Sequence, residues 1–215
     1  MPKRKLQRFA EVETFPNVFY LPFGEEKFSK KGKWNEFFGN SNPIVLELGC
    51  GKGEYTVGLA RKYPDKNFIG VDIKGNRIWR GAKTAVDDKM NNVAFVRTRI
   101  NLIENAFSKN EVDEIWITFP DPQPKKENRR LTALVFLEHY KKIIRQKGII
   151  HLKTDSKELF DFTMEVILDN KLKLFDSTDD LYSQEERDEV KSIHTYYEEK
   201  FLKQGKKITY IKFQL

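Results

Sequence analysis

Soft metal ligands, cysteine pairs and long apolar runs are all scarce in this chain of 215 residues. Its single cysteine, Cys50, can form no internal disulfide, which suits a reducing compartment; in a glycine loop it reads as packing rather than as a nucleophile. Three histidines, His139, His151 and His194, are too scattered for zinc-ligand spacing, so no metal is expected. No apolar run approaches the length that crosses a bilayer, and the basic start is not followed by the apolar core of a signal peptide. The expectation is a cytoplasmic protein without a membrane partner. Internal repeats and low-complexity tracts are also missing.

What is present suffices for a packed domain. Hydrophobic residues make up 39% and aromatic residues 13%, which excludes a disordered chain, and the length suits one compact domain with a small extension. Lysine and arginine number 39 against 32 acidic residues, a formal net charge of +7. Such an excess favours a polyanionic partner, because each phosphate neutralised releases condensed counterions. The charge gathers in an amino-terminal arm (Lys3, Arg4, Lys5, Arg8), a central cluster (Lys125, Lys126, Arg129, Arg130) and a late one (Lys203, Lys206, Lys207). Read blandly, each is a solvated face.

Beyond residue 43, short β-branched runs alternate with helical patterns, the rhythm of βα units and a largely parallel sheet. Seven strands are predicted, at 44–48, 68–72, 93–97, 113–119, 148–153, 173–178 and 207–213, with helices at 54–63, 75–89, 132–146 and 157–170. Thr132 and Ser156 are plausible helix caps, and Gly148 a helix stop. Residues 1–43, with Pro2, Pro16, Pro22 and Pro43, are predicted to be an irregular basic extension that wraps or lids a domain over 44–215.

The clearest chemistry lies in VLELGCGKG, Val45 to Gly53. An apolar strand runs into Gly49, Gly51 and Gly53, where the chain turns tightly and a ligand can approach the backbone. Asp72 follows nineteen residues after Gly53, at the end of the next strand, where a carboxylate can accept ribose hydroxyls. A dinucleotide fingerprint needs its third glycine one residue later, and here Glu54 stands in that place. Glu47, just before the loop, repels phosphate but suits an ammonium and a sulfonium. The pattern resembles motif I of class I S-adenosylmethionine methyltransferases, which implies a Rossmann-like fold with a seven-stranded, mostly parallel sheet flanked by helices.

A second motif, ITFPDPQPKKENRRL from Ile117 to Leu131, follows the fourth predicted strand, at the edge where open α/β sheets bind ligands. Pro120, Pro122 and Pro124 stiffen the loop that presents Asp121. With LELGCGKG, the GVD ending at Asp72, HLKTDS from His151 to Ser156 and TYYE from Thr195 to Glu198, the chain resembles the tRNA (guanine-N7-)-methyltransferase family over most of its length. That resemblance implies methyl transfer from S-adenosylmethionine to N7 of a guanosine in tRNA, usually guanosine 46 of the variable loop. It also implies cofactor contacts from Glu47, Asp72 and Asp121 and a catalytic role for Asp121. Substrate contacts would come from Lys125, Asp155, Thr195, Tyr196, Tyr197 and Glu198, with Lys126, Arg129 and Arg130 along the RNA. Three departures stand out: Gln123 replaces the usual tryptophan, Asp72 stands where glutamate is commoner, and the basic run after Lys125 is short. Where the family sets an acid against adenine, Arg99 to Asn101 hold none, and Asn101 is the residue assigned to that contact.

Guanine N7 carries a lone pair and no proton, so methylation needs in-line alignment more than a general base. Asp121 is expected to orient guanine through its N–H edge and to stabilise the positive charge left on the purine, assisted by Asp155. The basic clusters should hold phosphates, so RNA binding should weaken as salt rises. A class I methyltransferase for another RNA, a protein or a small molecule remains the alternative, followed by an NAD-dependent oxidoreductase and a noncatalytic RNA-binding module. Monomer and homodimer are both open.

Overall fold

The computed structural model describes residues 3–25, 27–183 and 187–215, with the side chains of Lys3, Arg4, Asp188 and Glu189 outside the description. Pro2 and the charged ends of Lys3 and Arg4, part of the expected basic arm, therefore lie outside the described residues. In chain order the elements are α1 (Lys3–Val12), β1 (Val18–Tyr20), α2 (Trp34–Phe38), β2 (Ile44–Leu48), α3 (Glu54–Lys62), β3 (Asn67–Asp72), α4 (Gly75–Asp87) and β4 (Val93–Arg97). There follow α5 (Ile103–Ala106), β5 (Val112–Thr118), α6 (Leu134–Lys141), β6 (Ile144–Thr154), α7 (Lys157–Asp169), β7 (Lys173–Thr178), α8 (Asp188–Lys191), α9 (Tyr196–Lys203) and β8 (Thr209–Gln214).

The sheet order is β1-β4-β3-β2-β5-β6-β8-β7, parallel except that β8 runs antiparallel to both β6 and β7. Along β2, alternation sends Ile44, Leu46 and Leu48 into a core under α5, α6 and α7, while Val45 faces a second core under α3 and α4. Helices on both faces shield strands that are apolar on both sides, the usual solution for parallel sheets. After β4 the chain crosses back and lays β5 beside β2, so the order reverses between those two strands. Ligands of open α/β sheets bind beyond the carboxyl ends at such a reversal.

Two expectations need correction. Residues 1–43 are not merely irregular: β1 adds an eighth strand, parallel to β4, and Trp34 is wholly buried, stacked 5.5 Å from Phe107 and donating Nε1–H to the Ala106 carbonyl at 3.1 Å. Helix α1 lies on α4, where Trp79 donates to Glu11 at 2.8 Å and Arg8 stacks over the Trp79 ring. Aromatic burial, which prolines and short spacing obscured, orders the segment. The helix expected over 132–146 ends at Lys141, because Ile144 pairs with Val112 and joins β6. Gly148 therefore lies inside a strand, and Thr132 caps nothing: its hydroxyl meets that of Thr163 at 2.7 Å. Ser156 does cap α7, accepting from Leu159 N–H at 3.2 Å.

Candidate active site

The loop after β2 is tied to β3 before any ligand enters. Gly49 and Cys50 N–H both donate to the Val71 carbonyl, at 2.8 and 3.0 Å. Asp72, at the tip of β3, accepts from Gly51 N–H at 2.9 Å through one oxygen and from Lys74 N–H at 2.7 Å through the other. Each oxygen keeps a further lone pair, so the carboxylate is fixed in place and still able to accept a diol. Gly51 has φ +55°, a conformation that favours glycine. Gly53, with φ +70°, meets a second demand as well: a Cβ there would stand 2.6 Å from the Phe95 ring and 3.2 Å from Gly81 Cα. It serves helix–sheet packing at the start of α3 and borders neither of the two cavities described next.

Two cavities open beyond the strand ends. The larger, about 510 Å³, is lined by Asp72, Thr98, Asn101, Asp121, Arg129 and Leu131 among others. The smaller, about 70 Å³, is bordered by Glu47, Gly51, Thr118, Thr195 and Tyr197. Gly49, Arg77 and Phe119 line both. The glycine backbone, the anchored Asp72 and the acid Glu47 fit a nucleoside that carries a cationic tail. Asn101 does border the larger cavity, with Arg99 and Ile100 beside it.

Glu47 is 3% exposed, accepting from Thr118 Oγ1–H at 2.6 Å, from Thr56 N–H at 2.8 Å and from the Thr56 hydroxyl. Among the described residues no cation pairs with it. Burial pushes its carboxyl up to about 7, against the pull of those hydrogen bonds and with a smaller push from Asp72. The site is thus built to hold a negative charge that is costly until a cation arrives.

Asp121 sits exposed at the mouth of the larger cavity, and its Oδ1 accepts from Gln123 N–H at 3.1 Å. Phe119 and Gln123 flank it with φ +47° each, an unusual backbone for residues with a Cβ. Prolines and these two left-handed residues together aim the loop. Lys125, Lys126 and Arg129 are exposed beside it. Arg130 is not: it is 1% exposed, donates to the Pro122 carbonyl at 3.0 Å and to Glu127 at 3.2 Å, contacts Glu158, and stacks over Phe162. Its guanidinium braces the Asp121 loop, so the expectation that it lies along RNA is corrected.

The late motif divides in the same way. Thr195 and Glu198 form a capping box at the start of α9. Glu198 is fully buried, 2.6 Å from Lys153 Nζ and 2.6 Å from the Tyr182 hydroxyl, which removes it from substrate contact. Lys153, equally buried, also donates to the Val190 carbonyl at 2.8 Å and so fastens this segment to β6. Tyr196 and Tyr197 remain exposed; Tyr196 N–H donates to Glu54 at 2.9 Å, and Lys52 lies over its ring. Asp155, mostly buried, is held by Lys206 at 2.6 Å. Sequence reasoning missed Thr118 and Lys153, although both sit inside quoted motifs, and Arg77, which no motif marks.

A family model described as a putative methyltransferase matches residues 41–211. The tRNA (guanine-N(7)-)-methyltransferase of Christiangramia forsetii is 54% identical over 221 residues, covering 99% of this chain and 98% of its own. That of Bacteroides thetaiotaomicron is 52% identical over 219 residues, covering 100% of this chain and 87% of its own. Among solved structures, the 16S rRNA methyltransferase KamB superposes with a TM-score of 0.66 over 88% of this chain and 94% of that one, at 14% identity, a likeness of fold alone.

Proposed function

The chain belongs to the tRNA (guanine-N7)-methyltransferase family, and we infer that it methylates N7 of a guanosine in tRNA at the mouth of its larger cavity, using S-adenosylmethionine. The observation that carries this reading is the junction at the sheet reversal, where Glu47 on β2 meets Thr118 on β5 and Asp121 follows three residues later. The bound cofactor supplies an electrophilic methyl group on a sulfonium.

The chain's own residues hold and align the reactants. Asp72 accepts the ribose hydroxyls with its spare lone pairs, Asn101 offers its amide to the adenine edge, and Glu47 accepts the ammonium of the methionyl tail. Asp121 accepts N–H groups of guanine and so turns N7 toward the methyl. Because N7 bears no proton, no general base is needed; the same carboxylate stabilises the positive charge that the purine acquires. Exposed Lys125, Lys126 and Arg129 take phosphates and set register without reading sequence. Tyr197, which borders the smaller cavity, and its exposed neighbour Tyr196 offer flat surfaces for a base drawn out of its stack.

The test is incubation of unmodified tRNA with labelled S-adenosylmethionine, followed by nucleoside analysis. N7-methylguanosine is expected, and label in any other nucleoside, or none, would sink the reading. Asp121→Ala should lower turnover about 100-fold or more, on the scale of a lost preorganised electrostatic contact.

A further inference from the structure

Arg77, the third residue of α4, reaches the junction of the two cavities, and among the described residues it is the only cation that lines both. It is partly buried and has no ion pair or side-chain hydrogen bond among those residues. Lys52, the other cation beside the smaller cavity, is engaged: its ammonium lies 3.9 Å from Glu54 and 3.9 Å from the centre of the Tyr196 ring. The first turn of α4 contains no acid, so nothing in its own helix offsets the guanidinium where the helix dipole is also positive. Across the smaller cavity the situation is inverted, with Glu47 a buried acid that lacks a cation. Two opposite, uncompensated charges bordering one small space match the two ends of an amino-acid zwitterion.

We propose that Arg77 binds the α-carboxylate of the methionyl part of S-adenosylmethionine, while Glu47 takes its ammonium. This rests on the cofactor reading above. A guanidinium suits a carboxylate because its fork can donate two parallel N–H bonds. An RNA phosphate is the less fitting occupant: Lys125, Lys126 and Arg129 stand exposed at the rim, whereas Arg77 is partly buried and also borders the small cavity that Glu47 lines.

Calorimetry on the full chain tests the assignment with two nucleosides, S-adenosylhomocysteine and methylthioadenosine, the second lacking the amino and carboxylate groups. Arg77→Gln should weaken S-adenosylhomocysteine roughly 10- to 100-fold, as expected for a charged hydrogen bond, and leave methylthioadenosine unchanged. Arg77→Lys, which keeps the charge and loses the fork, should fall between. Unchanged S-adenosylhomocysteine affinity, an equal loss for both nucleosides, or a loss confined to tRNA binding would each overturn the proposal. A wild-type chain that binds neither nucleoside would overturn the cofactor reading with it.

Discussion

Glu47 and Glu198 are both buried carboxylates, yet their surroundings differ in one respect. Glu198 has Lys153 against it, as deeply buried as itself, and its carboxylate also accepts from the Tyr182 hydroxyl and the Thr195 N–H. Glu47 has hydroxyl and amide donors only. A buried charge with its counter-ion is architecture, since removing either partner strands the other in a dry interior. A buried charge without one, beside an open space, marks where a ligand's opposite charge belongs. Arg130 and Arg129 repeat the contrast one residue apart: the first is enclosed by carboxylates and a carbonyl, the second faces solvent at the cavity rim.

Breaking the architectural pair should produce the largest effect. Lys153→Met leaves Glu198 buried without its cation and is expected to lower stability by about 3–5 kcal/mol in urea unfolding. If the loss were below about 1 kcal/mol, Glu198 would be finding other compensation and the contrast with Glu47 would weaken.

The opposite sign is expected at Glu47. The folded chain holds that proton up to about pH 7, whereas the ordinary value is 4.5, so the contribution of this group to stability is greatest below 4.5 and is lost as pH rises through about 7. At pH 8 the ligand-free Glu47→Gln variant should be the more stable by up to about 3 kcal/mol, at about 1.4 kcal/mol per pH unit. The gap should close at pH 4. The same variant should bind S-adenosylhomocysteine more weakly, and for the wild type at pH 6 binding should release a proton, visible as a dependence of calorimetric heat on buffer ionisation enthalpy. A stability difference between variant and wild type that stays constant from pH 4 to 8 would show the charge to be compensated already.

The neighbouring arginines supply the smallest effects and the finest comparison. Arg130→Ala should cost about 2 kcal/mol of stability, on the scale of stranded hydrogen-bond acceptors, with reduced turnover because the Asp121 loop loses its brace. Arg129→Ala should leave stability within about 0.5 kcal/mol and reduce the salt slope of tRNA binding by about 1. Equal stability losses from both would erase the distinction between brace and phosphate contact.

Much of the candidate site was legible because each motif is local in sequence and falls at the carboxyl end of a strand. Gly49 and Gly51, Asp72, Asn101 and Asp121 come from loops after four adjacent strands, and a parallel sheet brings all such loops to one edge. Less legible was what each charge faces. Arg130 looked like one more member of a basic run, and Glu198 like one more polar residue in a late motif, because burial depends on elements distant in sequence: Glu158 on α7 for the first, Lys153 on β6 for the second. At Gly53 a left-handed backbone and the close approach of Phe95 and Gly81, both remote, together require a glycine, and the second demand cannot be read from the loop alone. The amino-terminal segment was misread because β1 is three residues long and takes its order from pairing with β4 rather than from its own pattern.

By itself the sequence determined the alternation of strands and helices, the glycine loop with its acids, and the proline-stiffened Asp121, since these follow from local periodicity and from residue types that restrict the backbone. Only the tertiary structure decided which charges are matched. Electrostatic compensation acts through space over a few ångströms, and the partners of Glu198, Arg130 and Asp155 are supplied by other segments of the chain. Glu47 and Arg77, left without such partners among the described residues, are thereby distinguished from them.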